Sequence, residues 1–268
     1  MHVAPGVRRL VAPNASLFTG PGTNTYLLGD PVTAVIDPGP ADAAHLAALG
    51  AAAPAPAMLF TTHTHPDHSP AAKPLAEATG ARLIGRRPPA DGRQDLSFAP
   101  VHEPQRDERF ALPGGDLVVR AIDTPGHASN HVCYLLENCG LLFAGDHVLD
   151  GVTPVILAPD GDMGAYLDSL RRLLGYPLRA IAPGHGRLLA EPQRVIEGVI
   201  AHREQREAKV VAALAALHGA DEAALLAWVY DDVPVVLHRL ARFSLEAHLI
   251  KLAAEHRAHR EGDRWHAV

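Results

Sequence analysis

Apolar positions change their spacing near residue 190 of this chain. Before it, they come in short runs bounded by Gly, Pro, Asn or Asp, the pattern of strands buried in a scaffold. Such runs predict strands over 7–11, 25–28, 32–36, 57–60, 81–85, 132–136, 140–144 and 180–182. The stretch 110–122 breaks at Gly114-Gly115 and predicts two strands around a turn. Asp42 precedes an Ala/Leu-rich segment ending near Gly50, which reads as a capped helix, and 70–80 and 163–174 predict two more. The stretch 86–104, rich in Pro, Arg and Asp, reads as loop. After residue 190 the spacing turns helical. A long helix is predicted over 192–218, a second over 221–230 with Asp221 as N-cap, and one or two more over 234–256. The end, 257–268, turns at Glu261-Gly262-Asp263 and predicts a small hairpin. The division is therefore a strand-rich domain, 1–190, and a helical domain, 191–268. The second has few apolar positions for its length and is expected to dock on the first.

Four of the predicted strands end in the same way. The run ending at Phe60 leads into Thr62-His63-Thr64-His65-Pro66-Asp67-His68, with three histidines and an aspartate within six residues. The others lead into Asp123-Thr124-Pro125-Gly126-His127, Gly145-Asp146-His147 and Pro183-Gly184-His185-Gly186. Imidazole and carboxylate are the donors that borderline divalent metals prefer, and loops at strand ends let distant segments converge. With 17 histidines in the chain, the first cluster alone has a chance of arising at random of roughly one in two hundred. Four such tips in one chain point to a site. Val35-Ile36-Asp37 ends another strand in a carboxylate, a candidate to orient a ligating histidine. His131, His147, His248, His256, His259 and His266 read as ordinary packed or surface histidines.

Charge and composition narrow the classes. Hydrophobic residues at 47% and charged residues at 20% allow a sizeable core. Lys+Arg 24 against Asp+Glu 30 gives −6, which argues against gripping nucleic acid by bulk charge. From 187 onward the balance is near even, 11 Lys+Arg against 12 Asp+Glu. No apolar run is long enough for a membrane span or a leader peptide. Cys133 and Cys139 read as reduced thiols, so the expected location is cytoplasmic.

The ordered motifs His63-Thr64-His65-Pro66-Asp67-His68, Gly126-His127, Gly145-Asp146 and Pro183-Gly184-His185-Gly186 resemble those of the metallo-β-lactamase superfamily over about 20–190. Asn24-Thr25-Tyr26-Leu27-Leu28 and Val35-Ile36-Asp37-Pro38-Gly39 look like that family's first strands. The resemblance implies an α/β fold, a four-layer αβ/βα sandwich with metals at one edge. His202-Arg203, Arg206-Glu207 and a winged-helix-like tail are similar to the β-lactamase-like protein 2 branch. That branch includes a mitochondrial endoribonuclease and thioesterases acting on carrier-bound polyketides.

Matched motif by motif, the resemblance implies that His63, His65 and His127 hold one metal and Asp67, His68 and His185 a second, with Asp146 between them. Two Zn2+ ions roughly 3.5–4 Å apart would share a hydroxide, which Asp67 would orient; Fe or Mn could replace zinc. The implied activity is hydrolysis of a thioester or ester of a small-molecule or carrier-bound acyl group. An endoribonuclease is the alternative, with RNA not favoured by the charge, and a mono-iron persulfide dioxygenase-like enzyme is a further one. Asp146 stands where one class of true β-lactamases has cysteine, and His65 where di-iron redox relatives have Glu. Both disfavour those activities. Asn24 and Tyr26 are candidates to line the cleft or support the donors, although a tyrosine on a strand is more often simply packed. Arg203 and Arg206 are expected on a solvated helix face, from which they could meet an anionic substrate group if the tail walls the cleft near His185.

Overall fold

A computed structural model describes residues 1–268. The first sheet contains β1 (His2–Ala4), β2 (Val7–Val11), β3 (Asn24–Leu28), β4 (Ala34–Ile36), β5 (Met58–Phe60) and β6 (Arg82–Ile84), adjacent in that order. The second contains β7 (Arg109–Ala111), β8 (Val118–Asp123), β9 (Val132–Leu136), β10 (Leu141–Gly145), β11 (Ala180–Pro183) and β12 (Leu189–Ala190), again in chain order. Most neighbours are antiparallel, but β4, β5 and β6 run parallel, as do β10 and β11. Parallel neighbours need a crossover. Helix α1 (Ala43–Ala52) and helix α2 (Ala72–Thr79) supply it in the first sheet, and α3 (Met163–Leu173) in the second.

The predicted boundaries hold for local chemical reasons. Asp42 accepts from the His45 amide at 2.9 Å and caps α1, and Gly80 closes α2 in the left-handed conformation. β1 and β12 were not predicted, because these short edge strands are only partly buried and carry no apolar run to read.

Alternate side chains of each strand go to opposite faces. Tyr26, Leu28, Ile36 and Phe60 meet Phe110, Tyr134 and Phe143 of the other sheet in one core. Leu27, Val35 and Leu59 pack instead beneath Leu49 of α1 and Leu75 of α2. Cys133, Leu135 and Leu142 likewise pack beneath Tyr166, Leu167 and Leu170 of α3. Two sheets covered by helices on both outer faces make four layers. This is why β9 and β10 read as unbroken apolar runs: both of their faces are buried. Each fully buried large side chain contributes about 1.5–3 kcal/mol.

Beyond the sandwich come α4 (Pro192–Leu217), α5 (Glu222–Val229), α6 (His238–Ala254) and a hairpin of β13 (Ala258–Glu261) and β14 (Arg264–Ala267). These elements enclose their own core of 12 buried residues, among them Val210, Leu225, Leu249 and Trp265. Other large apolar side chains of this part, among them Val235, Val236 and Ile250, stay exposed. The docking expectation holds, since Ile196 of α4 and Ala247 of α6 belong to the core beneath α3. No helix is long and apolar enough to cross a membrane.

Candidate metal centre and active-site cavity

Asp37 follows β4, His63 to His68 follow β5, and His127, Asp146 and His185 follow β8, β10 and β11. Because β4 and β5 are parallel, and β10 and β11 are parallel, each pair opens its tips on one side. Two groups of donors result. The ligand-type atoms of His63, His65 and His127 lie within 4.8 Å of one another, and so do those of Asp67, His68, Asp146 and His185. Asp146 faces both groups: Oδ1 is 3.3 Å from Nε2 of His68 and of His185, while Oδ2 is 3.8 Å from His127 Nε2. Asp67 Oδ2 is 3.2 Å from His185 Nε2. Gly184 makes this approach possible, since a Cβ there would lie 2.4 Å from Asp146 Oδ1 and 2.7 Å from His68 Cε1.

Behind these donors a hydrogen-bond relay sets the imidazole tautomers. Asp37, in the left-handed region with φ 48°, accepts from His68 Nδ1–H at 3.0 Å and from the Thr62 amide at 2.7 Å. It also accepts the Thr62 hydroxyl hydrogen at 2.8 Å. With that hydrogen committed, Thr62 Oγ1 accepts from His63 Nδ1–H at 3.0 Å. His127 Nδ1–H donates to the Val155 carbonyl at 2.7 Å. In all three rings the hydrogen-bonded Nδ1–H leaves Nε2 as the outward atom, a lone pair in His63 and His127 and, in His68, one that a cation would free by displacing the second proton. His65 completes the first group, its Nδ1 lying 3.0 Å from His127 Nε2. His63 Nε2, His68 Nε2 and Asp146 Oδ1 are buried without a hydrogen-bond partner. Polar atoms are seldom left so, because desolvation is costly. Lone pairs of imidazole and carboxylate, oriented and bare, fit divalent ions of the zinc type.

The two groups differ in charge. Burial first, and then the neighbouring imidazoles, push His63 well below the ordinary histidine range, and His65 is pushed down to about 3 by burial and His127. In the other group burial opposes charge on His68 and His185, but the carboxylates win. Asp67, Asp146 and Asp37 lift His68 well above its usual range, and Asp146 and Asp67 lift His185 to about 9. One group is thus neutral donors and the other a carboxylate-rich nest.

Beside the donors lies a cavity of about 810 Å³, lined by His65, Asp67, His127, Asp146 and His185 on one side and by residues of α4 and α6 on the other. The second domain walls the cleft, and both candidate arginines line it. Their expected solvation is corrected. Arg203 is 3% exposed and Arg206 9%, because α4 is covered by α5 and α6 on the side that its polar residues suggested was open. Arg206 pairs with both carboxylate oxygens of Asp232, at 2.8 and 3.2 Å. The cleft-lining reading of Asn24 and Tyr26 is corrected as well, and Tyr26 takes the packed role usual for a strand tyrosine. Both are buried, outside the cavity, and donate to the Pro183 carbonyl at 2.9 and 2.8 Å, holding the turn before His185 from behind. Asp37 does stand behind His68 as expected. The Thr62 hydroxyl and the Val155 carbonyl were missed. A threonine inside the motif was legible in type, but a backbone carbonyl leaves no trace in a sequence. The cavity wall of Leu240, Phe243 and Ser244 was missed because helical spacing does not say which domain a face meets. His131 and His147 are also buried; His131 Nδ1 bonds the Thr124 hydroxyl at 2.9 Å, while its Nε2 and both nitrogens of His147 have no hydrogen-bond partner.

Known proteins share both parts. The family model for the metallo-beta-lactamase superfamily matches residues 18–185, and that for the beta-lactamase associated winged helix domain matches 222–265. The beta-lactamase-like protein 2 homolog of Drosophila melanogaster is 31% identical, with 95% of this chain and 90% of that protein covered. The atrochrysone carboxyl ACP thioesterase of Aspergillus fumigatus is 30% identical over 79% of this chain and 66% of its own length. Among solved structures, a beta-lactamase domain protein from Burkholderia ambifaria superposes with a TM-score of 0.82 at 20% identity, covering 100% of this chain and 93% of that one. That likeness is one of fold. With a family model matching residues 18–185 and a relative 31% identical over nearly the whole chain, the chain belongs to the metallo-beta-lactamase superfamily.

Proposed function

We propose that this metal-dependent hydrolase binds two zinc ions and cleaves a thioester or related ester of a small-molecule or carrier-bound acyl group. The observation that carries the reading is the placement of two oriented donor groups, joined by Asp146, on the wall of a cavity large enough for a drug-sized ligand. His63, His65 and His127 would hold one ion, Asp67, His68 and His185 the other, and Asp146 would touch both. Bound divalent ions supply Lewis acidity, lowering the proton affinity of water and polarising an acyl oxygen.

The chain's own residues set up the rest. Asp37 orients His68 directly and His63 through Thr62, so one carboxylate steadies a member of each group. Asp67 is the more open of the two carboxylates at the donors, with its side chain 27% exposed against 12% for Asp146. It is therefore the one placed to orient a nucleophilic water and hold its proton. Leu149, Val155 and Phe243 give the cavity an apolar lining that suits an acyl chain. A relative named as an acyl-carrier thioesterase supports the substrate class.

Elemental analysis of the protein purified without added metal is expected to find two zinc ions per chain, with thioester hydrolysis lost on chelation and restored by zinc. His63→Ala and His185→Ala are each expected to lose metal from a different position. One iron and no zinc would overturn the hydrolase reading. Cleavage of RNA with no activity on thioesters would move it to phosphodiesters.

A further inference from the structure

Arg203 is a buried cation without a carboxylate partner. Its Nη1 donates to Ser244 Oγ at 3.0 Å and its Nη2 to the Pro154 carbonyl, while its Nε is buried and bonds to nothing. A guanidinium has five N–H donors, so most of its capacity is unspent. Burying such a charge without a counter-charge is costly, and proteins seldom keep one without a use. Arg206, one turn along the same helix and in the same cavity, shows the ordinary solution: it is neutralised by both oxygens of Asp232 and lies over the Tyr230 ring at 4.4 Å. The ring nearest Arg203 is Tyr166, 5.6 Å from the guanidinium carbon, and its hydroxyl donates to the His147 carbonyl. Asp91 and Asp160, the carboxylates on the cavity's rim, both accept from Gln94.

We propose that Arg203 is the anion-recognition point of the cavity, and that the preferred acyl group is largely apolar but carries a carboxylate. The inference rests on the hydrolase reading and narrows its substrate class. Arginine favours planar, two-oxygen groups, and a buried one gains most from a ligand that completes its bonding. An acyl group of this kind would put its apolar body against Leu149, Val155 and Phe243 and its anionic group on Arg203. A rival role is purely structural. Arg203 holds the Pro154 carbonyl, and the next carbonyl, of Val155, orients His127.

The test uses the metal-loaded full chain and two N-acetylcysteamine thioesters, a naphthoyl group with a ring carboxylate and the same group without it. The wild type is expected to favour the carboxylated probe by about tenfold or more in kcat/KM, the scale of one charge-assisted hydrogen bond. Arg203→Met, which keeps the length of the stem, is expected to bring that ratio to about one, and Arg203→Lys to restore part of it. Wild-type indifference to the carboxylate, or an Arg203→Met variant that slows both probes by one factor, would overturn the proposal and leave the hydrolase reading standing. If neither thioester is turned over, the hydrolase reading fails on these substrates. Binding of the two corresponding amides, measured by calorimetry on wild type and Arg203→Met, then decides the role of Arg203: a carboxylate preference lost in the variant supports it, and equal binding throughout overturns it.

Discussion

Asp37 shows how one residue governs a site it does not enter. It accepts from His68, from the Thr62 amide and from the Thr62 hydroxyl, and through that hydroxyl it reaches His63. Its left-handed backbone is one that Asn tolerates better than most residues, so Asp37→Asn keeps the turn while replacing an acceptor oxygen by an NH2 donor. At the Oδ2 position that donor opposes both His68 Nδ1–H and the Thr62 hydroxyl, and at the Oδ1 position it opposes the Thr62 amide. Asp37→Asn is therefore expected to fold, and to bind metal roughly ten- to hundredfold more weakly, the scale for loss of a ligand's orienting partner. Competition with a zinc chelator measures it. Affinity unchanged from the wild type would show that the relay is incidental.

Between elements, Glu207 ties α4 to the end of α6. Lys251 and Arg257 each reach it at 2.8 Å, and His248 lies at 3.6 Å. Burial opposes the Glu207 charge, but His248, Lys251 and Arg257 outweigh it and pull the carboxyl down to about 2, against an ordinary 4.5. The folded state thus prefers the ionised form. Its contribution to stability is complete above the ordinary value and is lost as pH falls from about 4.5 towards 2. Glu207→Gln is expected to lower Tm by a few degrees at neutral pH and to flatten the loss of Tm in that acid window. Thermal melts of both proteins across pH check the slope, and parallel acid limbs would count against it.

At the scale of the molecule, the cavity exists only where the two domains meet. Ala247, 3% exposed on α6, sits in the core beneath α3 together with Ile196 of α4. A long charged side chain there has no room, and overpacking a core costs about 1–3 kcal/mol or more. Ala247→Arg is expected to loosen the second domain from the first. Metal content should stay at the wild-type level, since the candidate donors all lie at or before residue 185, while KM for a thioester rises by about tenfold as the apolar wall is lost. Limited proteolysis should then cut within 191–268 before 1–190. Unchanged KM together with unchanged protection would mean that the wall does not bind substrate.

The helices with clean caps, the short buried strands and the four His- and Asp-bearing tips were all legible in the sequence, because each depends on neighbours within a few residues. The Asp42 and Asp221 caps, the Gly80 stop and the turns before His63 and His185 are set by local backbone chemistry. Family likeness added the sandwich and the pairing of motifs. What the tertiary structure alone decided is who stands behind whom. Tyr26 and Asn24 sit on a strand whose two faces are both buried, so period-two alternation could not say that they brace Pro183 and do not face the cleft. Arg203 and Arg206 sit on a helix whose polar side is roofed by α5 and α6, and charge along a helix reads as solvent exposure only when nothing packs over it. Exposure is a property of the whole assembly of elements, while hydrophobic spacing reports one element at a time; the cavity, built from both domains, lies on the far side of that difference.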